Sequence, residues 1–263
     1  MRRSARDGFA TGKGVPGMET ATDRLRLILG EQGLAKLQDV TVMVLGLGGV
    51  GSACAEALAR GGVGHLVLVD RDVVAPSNIN RQALAFQSTV GRPKAEVMAA
   101  MVADINPSCD VTALVAFIDK DRVPEQLGSL PRPDYVVDAI DTIAQKLAIA
   151  TWCQSEGIAL VSAMGGANKL DPTRLRFSRI ERTEIDPIAR VMRKECRKRG
   201  IHDLQVLWSD EKPLEVEGKR DRIDERGFVR EGESILGTMS YFPPIMGQML
   251  ASKVIRDLVG LGA

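Results

Sequence analysis

Thr41-Val42-Met43-Val44-Leu45 runs straight into Gly46-Leu47-Gly48-Gly49-Val50-Gly51, and Val50–Arg60 (VGSACAEALAR) follows without a break. A short apolar run, a turn of glycines and a helix opening on small residues form the strand–turn–helix unit that presents free backbone N–H groups and a positive dipole end to a phosphate. His65–Val69 (HLVLV) reads as a second strand. Asp70 closes it, 22 residues after Gly48, where a nucleotide-binding unit of this type holds a ribose hydroxyl. These residues alone fit an adenine nucleotide or a dinucleotide.

Outward from this unit, strands and helices keep alternating. Pro93–Ile105 reads as a helix with Pro93 at its first position, ended by Asn106-Pro107. Val111–Ala116, Tyr135–Val137 and Ile158–Ser162 read as strands, and Thr142–Glu156 as the helix between the last two. The expectation is an α/β, Rossmann-like fold: a mostly parallel sheet with helices on both faces, and mixed or antiparallel strands in the C-terminal part. There, Arg174–Ile180 alternates with period two, as a half-exposed strand does. Asp186–Arg199 reads as a basic helix, Gly218–Arg230 as a solvated charged loop, and Ser234–Gly262 as an apolar segment broken by Pro243-Pro244 before a last helix. Residues 1–18 are expected to be a flexible tail. Residues 19–263 are expected to be one domain, with a nucleotide-binding core over about 38–165 and a substrate-facing part over about 166–263.

The 263 residues are 44% hydrophobic and 26% charged with a net charge of +1, so any nucleic-acid contact must be local. Cys54, Cys109, Cys153 and Cys196 form no C-x-x-C pair, and His65 and His202 are the only histidines, so no zinc is expected. Four scattered cysteines point to a reducing cytoplasm. The best membrane candidate, Ile235–Leu250, contains Pro243-Pro244, and no membrane span is expected.

Beyond Asp70 stand polar residues that hydride transfer does not need. They are Asp72, Asn80-Arg81-Gln82, Lys94 and the pair Asp138 and Asp141. Arg81 and Lys94 can neutralise phosphate oxygens, and Asp141 can supply an oxygen to Mg²⁺. The set suits a triphosphate.

At this point the sequence resembles the adenylation domain of ubiquitin-activating-type enzymes, which include the activators of the sulfur carriers of thiamine and molybdopterin synthesis. It is more closely similar to the tRNA threonylcarbamoyladenosine dehydratase subgroup. Residues 46–52, Asp70, Asn80-Arg81-Gln82, Lys94 and Asp138–Asp141 carry the broader likeness; Leu29–Leu34, Val137–Asp141, Ala163–Ala167, Asp171–Thr173, Asp186-Pro187, Ser209–Pro213 and Leu236–Pro243 carry the closer one. The resemblance implies ATP and Mg²⁺ as cofactors and tRNA as partner. ATP would activate the threonyl carboxylate of the modified adenosine, whose side chain then closes into a ring. Gly46, Gly48, Gly49, Gly51 and Asp70 would hold the adenosine end. Asp72, Arg81, Gln82 and Lys94 would face the phosphates and the carboxylate, with Asp138 in the same nucleotide site and Asp141 as the Mg²⁺ ligand. The family's Arg-Phe-x-Arg pattern appears as Ala21-Thr22-Asp23-Arg24. By resemblance Arg24 reaches the partner subunit's ATP site in a homodimer.

Arg190, Arg193, Lys194 and Arg197 share one face of the basic helix, either as a tRNA phosphate stripe or as a plain solvated face. Cys196 sits among these cations, which would favour its thiolate. The competing expectation is adenylation of the C-terminal glycine of a ubiquitin-like sulfur carrier, which would want a receptive cysteine and zinc. A cysteine-desulfurase-type sulfur partner is compatible with either reading. An NAD-dependent oxidoreductase would leave Arg81, Lys94 and Asp141 unexplained, and a non-catalytic binding module would need none of them.

Overall fold

The computed structural model describes residues 19–216, 219–223, 229–234 and 236–261. The expected tail 1–18 lies outside them. In chain order the main elements are α1 (Asp23–Asp39), β1 (Thr41–Leu45), α2 (Gly49–Arg60), β2 (His65–Val69), α3 (Lys94–Ile105), β3 (Asp110–Leu114), α4 (Val123–Gly128), β4 (Tyr135–Asp138), α5 (Ile143–Glu156) and β5 (Ala159–Ala163). Then follow β6 (Leu175–Arg179), α6 (Pro187–Arg199), β7 (Gln205–Ser209), β8 (Lys219–Ile223), β9 (Val229–Ser234) and α7 (Phe242–Val259).

Seven strands form one sheet in the order β3-β2-β1-β4-β5-β7-β6. All neighbours are parallel except β6, which runs antiparallel to β7. This is the Rossmann-like sheet expected from the alternation, with its antiparallel pair in the C-terminal part. The strand order reverses between β1 and β4, which opens a crevice at their carboxyl ends.

Both faces of the sheet are covered. On one, Val44, Leu58, Met98, Phe242, Met246 and Leu250 meet in a single cluster. On the other, Met43, Leu45, Val136, Ile149 and Trp152 pack together. Each fully buried aliphatic or aromatic side chain contributes roughly 1.5–3 kcal/mol. Helix α7 lies against α2 so closely that a side chain at Gly247 would stand 2.3 Å from the Val50 carbonyl oxygen.

Two local expectations need correction, and one strand was not foreseen. Pro93, with ψ of 131°, caps α3 rather than opening it, because Lys94 is the first helical residue. The stretch Gly218–Arg230, read as a loop, includes β8 and the start of β9, which pair antiparallel with Arg220 opposite Glu233. The charge content of the stretch hid the pairing; residues 218 and 224–228 lie outside the described residues. Strand β7 had no expected counterpart, yet it sits between β5 and β6. No helix among the described residues is long and apolar enough to cross a membrane.

Candidate active site

The crevice between β1 and β4 is built on glycine. Gly46 has φ of +85°, and a Cβ there would stand 2.9 Å from the Ala139 carbonyl oxygen after β4. At Gly51 a Cβ would fall 1.7 Å from the Gly46 carbonyl oxygen. Only glycine lets the turn close and the helix start so near it. Gly48 is the N-cap of α2 and has no side chain to cap with, so the first N–H groups of the helix, from Gly49 on, stay open toward the crevice. Asp70 locks the turn from the next strand: Leu47 N–H donates to its Oδ2 at 2.5 Å and Asp72 N–H to its Oδ1 at 2.8 Å.

Beside the turn stand the cations. Lys94 is only 5% exposed, and its Nζ meets Asp72 Oδ2 at 2.9 Å. Arg81 donates from Nη1 to the Ser77 carbonyl at 3.0 Å and to Asn80 Oδ1 at 2.8 Å. Partial burial lowers its pKa from the usual guanidinium value. Its stem packs on the turn, since a Cβ at Gly49 would stand 3.2 Å from Arg81 Cγ. Gln82 is buried with Oε1 unpartnered among the described residues, and its Nε2 lies near Gly48. An orphaned buried acceptor next to a phosphate-type turn marks a polar ligand position. Ser52 joins the two segments, donating to the Gly48 carbonyl at 2.7 Å and accepting from Ala83 N–H at 3.0 Å. The glycine motif contains Ser52, but nothing in the sequence reports its joining role.

Past β4 the two aspartates part company. Asp138 is enclosed: its Oδ2 accepts from Lys146 Nζ at 3.0 Å and from Ser162 Oγ at 2.6 Å, and its Oδ1 from Ile140 N–H at 3.1 Å. Lys146 was not foreseen. Its only signal is a lysine on the apolar side of a helix. Asp141 is exposed, with Thr142 Oγ1 donating to it at 3.1 Å. Among the described residues no group of three His, Cys, Asp or Glu side chains could by itself hold a metal. A single exposed carboxylate fits Mg²⁺ carried largely by phosphate oxygens.

The remaining sequence candidates lie elsewhere. Arg24 is exposed on α1. On α6, Arg190, Lys194 and Arg197 are exposed, but Arg193 is not part of a free stripe. It is half-buried and donates to the Thr183 carbonyl and hydroxyl. The expectation that cations would favour a Cys196 thiolate is also corrected. Cys196 is buried under α6, and burial, with Glu181 adding to it, pushes its thiol up to about 11. A second buried pair was missed altogether. Lys169 Nζ meets Asp186 Oδ2 at 2.5 Å, while Asp186 Oδ1 caps α6 through Ala189 N–H at 2.9 Å.

Comparison with known proteins agrees with this geometry. The ThiF family model matches residues 22–263. The tRNA threonylcarbamoyladenosine dehydratase of Bacillus subtilis (strain 168) is 43% identical over 90% of this chain and 93% of its own. The crystal structure of the E. coli tRNA N6-threonylcarbamoyladenosine dehydratase has a TM-score of 0.78 at 29% identity, over 91% of this chain and 94% of that one. The same enzyme in complex with ATP gives 0.77 over 92% and 98%. The molybdopterin-synthase adenylyltransferase of Salmonella typhimurium is 35% identical over 50% of this chain and 51% of its own.

Proposed function

The chain belongs to the ThiF family, and we infer from that and from the site that it is an ATP-dependent adenylating dehydratase acting on N6-threonylcarbamoyladenosine in tRNA. The observation that carries the reading is the glycine turn at the β1–β4 switch point, faced by Arg81 and by the Lys94–Asp72 pair. Likeness to the B. subtilis and E. coli dehydratases over nine tenths of the chain supports the substrate.

An oxygen of the threonyl carboxylate attacks the α-phosphorus of ATP. A C(O)–O–P linkage forms, and the bond to pyrophosphate breaks. A carbamoyl oxygen or nitrogen of the same side chain then displaces AMP, and the ring closes with net loss of water. Intramolecular attack carries an effective molarity on the order of 10⁵ M or more, so no enzyme nucleophile is required. The protein positions the reactants and stabilises charge. Gly48, Gly49 and Gly51 present backbone N–H groups to phosphate, while Gly46, whose N–H is taken by the Val69 carbonyl, shapes the turn. Each oxygen of Asp70 keeps a lone pair for a ribose hydroxyl after accepting one backbone bond. Arg81, held by two acceptors, offers its remaining N–H donors to phosphate oxygens. Lys94 supplies a shielded charge that Asp72 orients, and Gln82 brings its amide, with Nε2 as the donor, beside Gly48. Asp138 acts from behind, fixing the loop that carries Asp141. Mg²⁺ held by Asp141 and the phosphates would neutralise charge on the departing pyrophosphate.

We take residues 19–263 as one adenylation domain, with the nucleotide part over about 38–165 and the tRNA-facing part over about 166–263. A two-fold dimer is part of the reading. Arg24 shares α1 with Leu27 and Ile28, which are 85% and 79% exposed and would gain from a partner surface. A cytoplasmic setting follows from the tRNA substrate. No step calls on a sulfur donor. The sulfur-carrier alternative is weaker, because the adenylyltransferase likeness spans half of the chain and the Cys196 thiol is shielded. The test is nucleoside mass spectrometry of tRNA after incubation with enzyme, ATP and Mg²⁺. Loss of water from the modified adenosine, with AMP released in equal amount, is expected. Modified tRNA left intact overturns the reading.

A further inference from the structure

Beyond the carboxyl ends of β5 and β7 lies a cleft of ≈ 440 Å³, within the size range of about 300–1,000 Å³ typical of small-ligand sites. Ile185, Pro187, Pro213, Leu214 and Val216 give it an apolar wall, and Asn168 brings a polar group. Lys212 and Glu215 stand 4.0 Å apart at its exposed rim. None of its lining belongs to the glycine turn.

Three further observations converge on it. First, Ile185 has φ of +55°, a left-handed backbone that a β-branched residue rarely adopts. Its side chain is 57% exposed, so packing gives little in return. The conformation is imposed by the next residue: Asp186 caps α6 with one oxygen and receives the buried Lys169 amine on the other, while Lys169 also donates to the Gly165 carbonyl at 2.8 Å. Strain kept by a buried ion pair, at an exposed side chain lining a cleft, points to a ligand contact. Second, the cleft is bonded to the nucleotide site. Asn168 N–H donates to the Gly237 carbonyl at 2.9 Å. Gly237 N–H donates to Asn168 Oδ1 at 2.6 Å, and Asn80 Nδ2 to the Thr238 carbonyl at 3.1 Å. Asn168 Nδ2 has no hydrogen-bond partner among the described residues. Third, the exposed cations Arg190, Lys194 and Arg197 lead away from Pro187 along α6, at roughly 5, 10 and 15 Å for a rise of about 1.5 Å per residue.

We propose that this cleft receives the modified adenine of the RNA substrate, with Ile185 as the aliphatic surface under the base and the Asn168 amide at its polar edge. The flanking phosphates then lie along α6. Loop bases of RNA are read in this way, splayed out of the stack into a pocket. The proposal rests on the reading of the reaction given above.

The test uses a stem–loop RNA carrying N6-threonylcarbamoyladenosine. In Ile185→Gly the left-handed backbone is kept without a side chain, so the melting temperature should hold or rise. The KM for RNA should increase about tenfold with kcat within about threefold, as for loss of uniform binding. The shift in melting temperature on adding ATP should match wild type. Leu214→Ser gives a second reading should Ile185→Gly not fold. If wild type releases no AMP with this RNA, the reaction reading fails and this assignment with it. If wild type turns over and both folded variants keep its KM, the cleft assignment alone falls. It falls likewise if the variants change only sedimentation, since the cleft then serves a second copy of the chain.

Discussion

Lys146 Nζ lies 3.0 Å from Asp138 Oδ2, and both side chains are 1% exposed. Ser162 completes the carboxylate from β5. Removing one member of a buried pair strands the other charge, at a cost of about 3–5 kcal/mol. Lys146→Met should therefore lower the melting temperature by roughly 10 °C in a chain of this size. Adding Asp138→Asn should recover part of the loss. Additive losses in urea denaturation would show that the pair is not coupled.

Arg81 is held by the Ser77 carbonyl and by Asn80 Oδ1, so the protein itself positions its guanidinium. Arg81→Ala should reduce kcat for tRNA-dependent AMP release by about 10²–10³. Arg81→Lys should not restore it, because an ammonium lacks the planar fork. Asp141→Ala should abolish AMP release with an unchanged melting temperature, since the carboxylate is exposed, and Asp141→Asn should raise the Mg²⁺ concentration needed. Normal turnover by Asp141→Ala would remove it from the metal site.

The tRNA face should follow exposure. Changing Arg190, Lys194 and Arg197 to Gln should flatten the log–log salt dependence of tRNA binding by about two units, at roughly 0.7 per lost contact with single strands. Arg193→Gln should instead lower stability, because it removes the bonds to Thr183. A salt slope equal to wild type in the triple variant would make this a plain solvated face.

Arg24 is tested across subunits. Arg24→Ala and Lys94→Ala chains, each inactive alone, should on mixing recover about a quarter of wild-type activity, because half the dimers are mixed and each carries one complete site. Sedimentation as a monomer at micromolar concentration would refute the shared site.

The buried thiols give the protein an alkaline limit. Burial pushes Cys196 up to about 11 and Cys153 up to about 12. The fold thus keeps protons that the unfolded chain releases above about 8.5. Their contribution to stability is complete below that pH and is lost as pH rises toward 11 and 12, at up to about 1.4 kcal/mol per pH unit for each thiol. Cys196→Ser should make the decline between pH 9 and 10.5 shallower and keep most tRNA-dependent activity. An acyl adduct trapped on Cys196, with an inactive Ser variant, would revive a thioester route.

Local pattern carried much of this structure. β1 and β2 were legible to the residue, because a strand buried on both faces writes itself as a continuous apolar run. Arg81 and Lys94 of the candidate site were legible because, around a glycine turn, they form the cation set that a triphosphate needs. What stayed hidden depends on segments that meet only in space. β7 reads as QVLWS in a polar context, and its place beside β5 is set by pairing with residues over forty positions away. Lys146, on the apolar side of α5, and Lys169, in a loop, have no visible purpose until Asp138 and Asp186 are brought to them. The hairpin of β8 and β9 is a matter of backbone register, which charge content does not report.

The short run Gly237-Thr238 is bonded to Asn80 on one side and to Asn168 on the other. If both substrates press on this one bridge, their affinities are thermodynamically linked. Whatever factor ATP adds to RNA binding, RNA must add to ATP binding, because the two routes around the cycle end in the same ternary complex. An obligatory order of addition would then describe only which route is faster. Titrations of each ligand with and without the other, using a non-hydrolysable ATP analogue, give the factor twice. A value of one would mean that the bridge transmits nothing.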